Sequence, residues 1–559
     1  MEIPQHHRRR VRSSTSSQVQ PASFLSNISA ATAVEHHVVD EGNNEHFATG
    51  FADIYAALSP RQVAIIAIGS AIGTGLMITT GLSLPMGGPA ALMISYTVVG
   101  FAVYLVLLAL GEVAAWLPKP STVADQARRF CDPALGFSLG WIYWLKYAII
   151  TPYQLTAAAL VVEYWPEADK VNIGVWITLF LLVITALNYA HHALPSQVEF
   201  YVSSFKLFVM FVLMILSLVI ALGGAPDRDP KGFRYWRDPG AFNDEHGRRA
   251  KAGFISTCGT MSSATFAYIG SERSGILAQT PNVRQAISRA VKYNFYRILV
   301  FHLLGVTLLG MILPRTSPLL AFSSGASKAS AASPFVAALY FAGWPVIAHA
   351  LNGCILLFVL SIANYDLYLA TKAMCDLALK HRAPAFLLRV DRRGVPIFAL
   401  GICSSLAMLA YVNARTNSTI VFGYFMNTVT MLGLLTWISI LATHVSFVQA
   451  RRAQGIPDDC LVFRSRFGLA GTCLALVMCL FISATMVFNC FTFDSRGHSK
   501  FDYWHLVASY VGVPLFVFLL VGHKLIIGDK RVRPKDVDFW SDRREDIPRQ
   551  LEMEEIRAD

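Results

Sequence analysis

Gly69-Ser70-Ala71-Ile72-Gly73-Thr74-Gly75 lies inside an apolar run, 63–82, that is long enough to cross a bilayer. Three glycines and two hydroxyl residues in seven positions make a poor helix interior, because each Gly costs about 1 kcal/mol relative to Ala. In lipid such a weak point is tolerated only where the freed backbone faces protein, water or a ligand. Two readings are open on this stretch alone. One is a discontinuous helix whose second half begins near Gly73 and points free N–H groups and a positive dipole end at an anion. The other is close helix packing, since small residues let helices approach.

The rest of the chain frames the choice. Of its 559 residues only 15% are charged and 54% are hydrophobic, the balance of a polytopic membrane protein. The net charge of +11 is therefore read as basic cytoplasmic loops rather than as a nucleic-acid footprint, and no nucleic-acid partner is expected. The nine cysteines are scattered, and Cys258, Cys354, Cys403 and Cys479 fall inside apolar runs. Neither a zinc spacing nor a disulfide framework is read from them, and no metal or cofactor is expected.

Twelve spans are predicted, near 63–82, 90–111, 135–162, 173–190, 200–222, 253–272, 294–313, 343–367, 396–414, 420–447, 469–491 and 504–527. The eighth has a possible helical continuation to Lys380. Residues 1–58 are polar, lack the apolar core of a signal peptide and are expected to form a disordered tail. Residues 59–528 form the helical domain and 529–559 a second, charged tail. Basic residues such as Arg128, Arg129, Arg289, Lys292, Arg392, Arg393, Arg451 and Arg452 fall in the even-numbered gaps. Both termini are therefore expected in the cytoplasm, membrane lipid being the surrounding solvent.

The sixth span is the second unusual one. Ser256, Thr257, Thr260, Ser262, Ser263 and Thr265 precede Gly270-Ser271-Glu272. Two interrupted spans, the first and the sixth, stand five apart. Such a pair points to inverted repeats with a substrate site at the breaks. The repeats would be about 60–222 and 253–447, with two additional helices at 469–527.

Gly87-Gly88-Pro89-Ala90, Ala109-Leu110-Gly111-Glu112, Asp132-Pro133-Ala134-Leu135-Gly136-Phe137, Arg393-Gly394-Val395-Pro396 and Gly522-His523-Lys524 complete the pattern. With the opening stretch and Leu155-Thr156-Ala157-Ala158-Ala159-Leu160, they make the chain resemble the fungal amino-acid permeases of the amino acid–polyamine–organocation superfamily. The resemblance runs from about Leu58 to Asp538. It implies an all-α polytopic fold of twelve helices, the LeuT-type 5+5 inverted repeat with two more. It also implies proton-coupled amino-acid symport, most often at the plasma membrane.

On that footing the substrate carboxylate is expected at Ser70, Ala71, Ile72, Gly73, Thr74 and Gly75. The ammonium is expected at carbonyls of the broken sixth span, with Phe266, Ala267, Tyr268 and Gly270 around the substrate. Lys206 matches the fifth-span Lys of proton-driven members, and Glu272 the acid of the sixth-span Gly-x-Glu motif. Both are candidates for proton coupling, because a charge in mid-bilayer is costly and is kept for a reason. The plainer alternatives are snorkelling for Lys206 and a watery vestibule for Glu272. Gln154, Asn364 and Val429 are candidate pocket lining, with Tyr365 beside Asn364.

The sequence departs from the family at several of these places. Gln154 stands where the family commonly has Glu, and Lys146 where it usually has an uncharged residue. Gln does not titrate, so the third span loses its acid. These changes argue against a dedicated carrier of basic amino acids. They also leave room for a non-transporting amino-acid receptor on the same fold, as the alternative to a transporter. No catalytic residues are expected, since no nucleophile elbow, phosphate loop or metal motif is found.

Overall fold

A computed structural model of the chain describes residues 65, 69, 73–117, 122–190, 194–243, 249–273, 283–320, 332–414, 418–461, 463–493 and 499–539. The chain divides into two units, Met1–Thr49 and Gly50–Asp559, and all the described residues belong to the second. The expected tail at 1–58 and the candidates Ser70, Ala71 and Ile72 lie outside them.

Helices occupy all twelve predicted positions. Among the described residues, eight are long and apolar enough to cross a membrane. The pair Tyr503–Tyr510 and Gly512–Ile527, bent by 41°, makes a ninth. The other three positions are the broken first span, the polar sixth, Arg249–Tyr268, and the short ninth, Ile397–Ala407 with a tighter turn after it. The seventh helix begins earlier than its apolar run suggests, at Val283, because a basic stretch with Arg289 and Lys292 prolongs it. A small hairpin pairs Phe491–Phe493 with Ser499–Phe501 between the last two spans.

Burial divides the helices into two sets. The second, third and tenth spans, Pro89–Trp116, Pro133–Val162 and Ser418–Ala453, are buried along most of their length. The fourth, fifth and last spans carry exposed apolar side chains such as Leu182, Phe208, Phe518 and Ile526. Exposed rows of that kind belong against lipid, where leaving an aliphatic side chain outside the protein costs nothing. This is a nearly all-helical, polytopic membrane architecture. The interrupted first helix packs against the polar sixth, five spans further along the sequence.

The polar residues of the first and sixth spans are reconciled with lipid by local bonds. Thr80 and Ser83 donate to the carbonyls of Leu76 and Thr79 at 2.7 and 2.9 Å, and Thr79 donates to Gly75. In the sixth span Thr257 and Thr265 bond back to Gly253 and Met261 at 2.7 Å each. Back-bonding of this kind satisfies the hydroxyl and loosens the helix. The first span accordingly divides at Ile78 into Thr74–Met77 and Thr79–Gly87.

Candidate functional site

Upstream of the division at Ile78, Gly73 is in extended backbone as the residue before Thr74–Met77, and among the described residues no side chain caps that helix start. The amides of Thr74 and Gly75 open that first turn and have no acceptor within the helix. Gly75 faces the sixth span directly: a Cβ added there would lie 2.5 Å from the Cα of Ala267. At Gly73, among the described residues, it would meet the tip of Ile362, in the eighth span. At Gly69 it would meet Ser203 of the fifth span, 2.6 Å from its Oγ. At all three positions a side chain would collide with a neighbouring helix, which is the close packing that small residues allow.

The sixth helix ends at Tyr268, and the chain turns at Gly270, whose φ of +92° suits glycine. Beyond that turn stand two charged residues, Glu272 and Arg273, both enclosed by the bundle. Lys146 of the third span donates to Glu272 Oε1 at 2.5 Å, with its ammonium over the rings of Tyr143 and Tyr147 at 4.2 and 4.5 Å. Glu272 Oε2 accepts from the amide of Gly270 at 3.0 Å and from Trp437 Nε1 of the tenth span at 3.3 Å. Glu272 is thus no vestibule carboxylate. It ties the third and tenth spans to the turn at Gly270.

Arg273 makes the second pair. Its Nη2 donates to Asp366 Oδ1 of the eighth span and its Nε to the hydroxyl of Tyr147 at 3.2 Å. Asp366 Oδ2 also accepts from Gln154 Nε2 at 3.3 Å, and Gln154 Oε1 accepts from the hydroxyl of Thr74. A continuous polar chain therefore runs from the first-span break through the third and eighth spans to the sixth-span break.

The third pair lies in the fifth span. Lys206 is fully buried and does not snorkel. It donates to Glu199 Oε1 at 3.0 Å. Ser203 donates to the same carboxylate at 2.9 Å and Ser361 of the eighth span at 2.6 Å. Ser203 is also the residue that Gly69 rests on.

The remaining predicted residues take varied places. Phe266 packs on Tyr153 of the third span, ring centroids 4.5 Å apart. Tyr268 is engaged by the second and seventh spans, donating to the carbonyl of Tyr96 at 3.0 Å and stacking on His302 at 4.6 Å. Asn364 accepts from Asn188 of the fourth span at 2.9 Å. Val429 is buried in the tenth span, one turn before Gly433, where that helix meets Ile269. Asp366 and Arg273 were missed, although the rule that singles out Lys206 applies equally to Asp366 within the apolar run around Ile362.

The model of the amino acid permease family matches residues 62–535. The chain belongs to that family. The permease is 40% identical over 505 residues to the dicarboxylic amino acid permease of Saccharomyces cerevisiae, covering 89% of this chain and 82% of that one. It is 34% identical over 481 residues to the proline-specific permease of the same yeast, covering 84% and 75%. It is 30% identical over 493 residues to the lysine-specific permease, covering 88% and 79%. The permease is an integral membrane protein that transports amino acids, and not an enzyme.

Proposed function

We propose that the protein takes up amino acids together with protons by alternating access, with its substrate held between the two helix breaks. The observation that carries this reading is the direct contact of Gly75 with Ala267, which sets a helix start and a helix end side by side at the centre of the bundle. The first-turn amides at Thr74 and Gly75 suit the substrate carboxylate, because a helix start presents donors and a positive partial charge. The carbonyls where the sixth helix ends suit the ammonium. Phe266, Ala267, Gly270 and Gln154 border the same place.

Proton coupling is assigned to the buried pairs, with Lys206 and Glu199 the first candidate and Glu272 with Lys146 the second. An ion pair in a low-dielectric interior changes energy strongly when either member gains or loses a proton. The plasma membrane, with both termini in the cytoplasm, is the expected location. The relative at 40% identity is named for dicarboxylic amino acids, which makes acidic side chains the first class to test.

The test is uptake of a labelled amino-acid panel by cells expressing the protein, with and without a proton uncoupler. Accumulation that collapses with the uncoupler is the expected result. Accumulation indifferent to it removes the proton. Binding of an amino acid without any uptake would overturn the proposal.

A further inference from the structure

We propose that Arg273 is the specificity residue of the permease, receiving the side-chain carboxylate of an acidic amino acid on its Nη1. The inference rests on the substrate site proposed above and adds the group that selects among substrates. A guanidinium has five N–H donors. In Arg273, Nε is used by Tyr147 and Nη2 by Asp366, whereas Nη1 is buried and has no hydrogen-bond partner among the described residues. Its side chain is only 6% exposed. A buried donor left unmade is costly, and a charged one more so, so an edge of this kind is kept open for an acceptor.

The position fits an acceptor carried by substrate. Arg273 stands three residues past Gly270, and a Cβ on Gly270 would lie 3.3 Å from Arg273 Nε, so the guanidinium folds back over the turn of the sixth-span break. Tyr147 and Tyr365 hold it from their ring faces, at 5.0 and 5.3 Å. Through Asp366 and Gln154 it is joined to Thr74 at the other break. A substrate whose α-carboxylate sits at Thr74 and Gly75 would place its side chain among these groups. An ionised carboxylate is the acceptor that a fixed, planar guanidinium edge recognises best, better than the amide of the same length.

Asp366 is the built-in competitor, because it already shares the charge of Arg273. Of the other charges nearby, Lys146 is paired with Glu272 and Lys206 with Glu199, while Arg297 of the seventh span donates to the hydroxyl of Ser271 at 2.6 Å. Removing the charge of Asp366 alone should therefore strengthen the preference for an acidic substrate, which a merely structural Arg273 would not do.

The experiment measures binding of labelled glutamate to purified, reconstituted permease, with unlabelled glutamate and glutamine as competitors. Three proteins are compared: the wild type, Asp366→Asn, and Arg273→Gln combined with Asp366→Asn, which leaves no unpaired charge. The readout is the ratio of glutamine to glutamate dissociation constants. A ratio of at least tenfold in the wild type, higher in Asp366→Asn and near one in the double variant, supports the assignment. For a double variant that binds no label, labelled glutamine takes its place. A wild-type ratio near one, or an Asp366→Asn ratio below that of the wild type, overturns it. So does a double variant that keeps the wild-type ratio, the pattern expected if Arg273 held the α-carboxylate common to both ligands. A protein that takes up neutral amino acids without favouring acidic ones sinks this inference alone. One that binds no amino acid sinks the proposed site with it.

Discussion

Lys206 donates to Glu199 at 3.0 Å from seven residues further along the same helix, and both side chains are fully buried. The pair is not isolated, because Ser203 bonds Glu199 and lies against Gly69 of the broken span, while Ser361 binds the other carboxylate oxygen. Any movement of the first helix at Gly69 presses on the residue that holds Glu199 in place. On the coupling proposal, protonation of the pair would change its internal attraction, and Ser203 would pass the change to the first span. In vesicles with an imposed pH gradient, Lys206→Ala is expected to abolish proton-driven accumulation. Glu272→Gln and Lys146→Ala serve as the rivals. If Lys206→Ala still concentrates substrate when only protons drive it, the coupling site moves to whichever rival loses that ability.

The contact at Gly75 makes a graded prediction. A methyl group there would collide with the backbone of Ala267, which has nowhere to rotate, whereas at Gly73 it would displace the flexible tip of Ile362. Gly75→Ala is therefore expected to reduce uptake by at least tenfold, and Gly75→Val to abolish it, at unchanged surface expression. Gly73→Ala should keep a measurable fraction. Uptake by Gly75→Val equal to that of the wild type would take this stretch out of the site, and a reversed order of Gly73→Ala and Gly75→Ala would mean that the helices pack differently.

Much of this was legible from pattern. Apolar runs locate twelve helices because lipid demands continuous internal hydrogen bonding, and glycine and hydroxyl clusters locate the two breaks because they weaken it. Single intramembrane charges were legible one at a time, as with Lys206 and Glu272. Their partners were not, because sequence carries no distance between Lys146 and Glu272, 126 residues apart, or between Arg273 and Asp366, 93 apart. Tyr268 shows the opposite limit: its place beside the break is readable, but its commitment to Tyr96 and His302 depends on which way the sixth helix is rotated.

The Lys146–Glu272 pair should show the energetics of enclosed charge. Removing one member strands the other without water, a loss of about 3–5 kcal/mol, whereas removing both costs far less. Glu272→Gln and Lys146→Met are each expected to lower the thermal midpoint of the purified protein by more than the double variant does. Glu272 has a further duty in holding the amide of Gly270, so the Glu272 variant should also weaken substrate binding. Equal and additive losses across the cycle would show that the two charges do not depend on each other.

The C-terminal end of the helical domain yields the last prediction. The stretch after the twelfth span was expected to be tail from residue 529, yet Phe539 is buried among Trp116, Phe130 and Phe447, with ring centroids 5.5–5.8 Å away. Trp116 Nε1 donates to the carbonyl of Phe539 at 3.2 Å, and Gln454 donates to that of Val537 at 2.7 Å. This segment clamps the ends of the second and tenth spans, both of which reach the site. Deleting 541–559 is expected to leave uptake unchanged, as is deleting 1–45 in protein that reaches the membrane. Phe539→Ala should cost about 3–5 kcal/mol, the usual loss for an aromatic removed from a packed cluster. The measurement is the thermal midpoint of the detergent-purified protein beside uptake in cells. A Phe539→Ala protein as stable as the wild type would show that the clamp carries no load, and a loss of substrate affinity on deleting 1–45 would make the N-terminal residues part of the site.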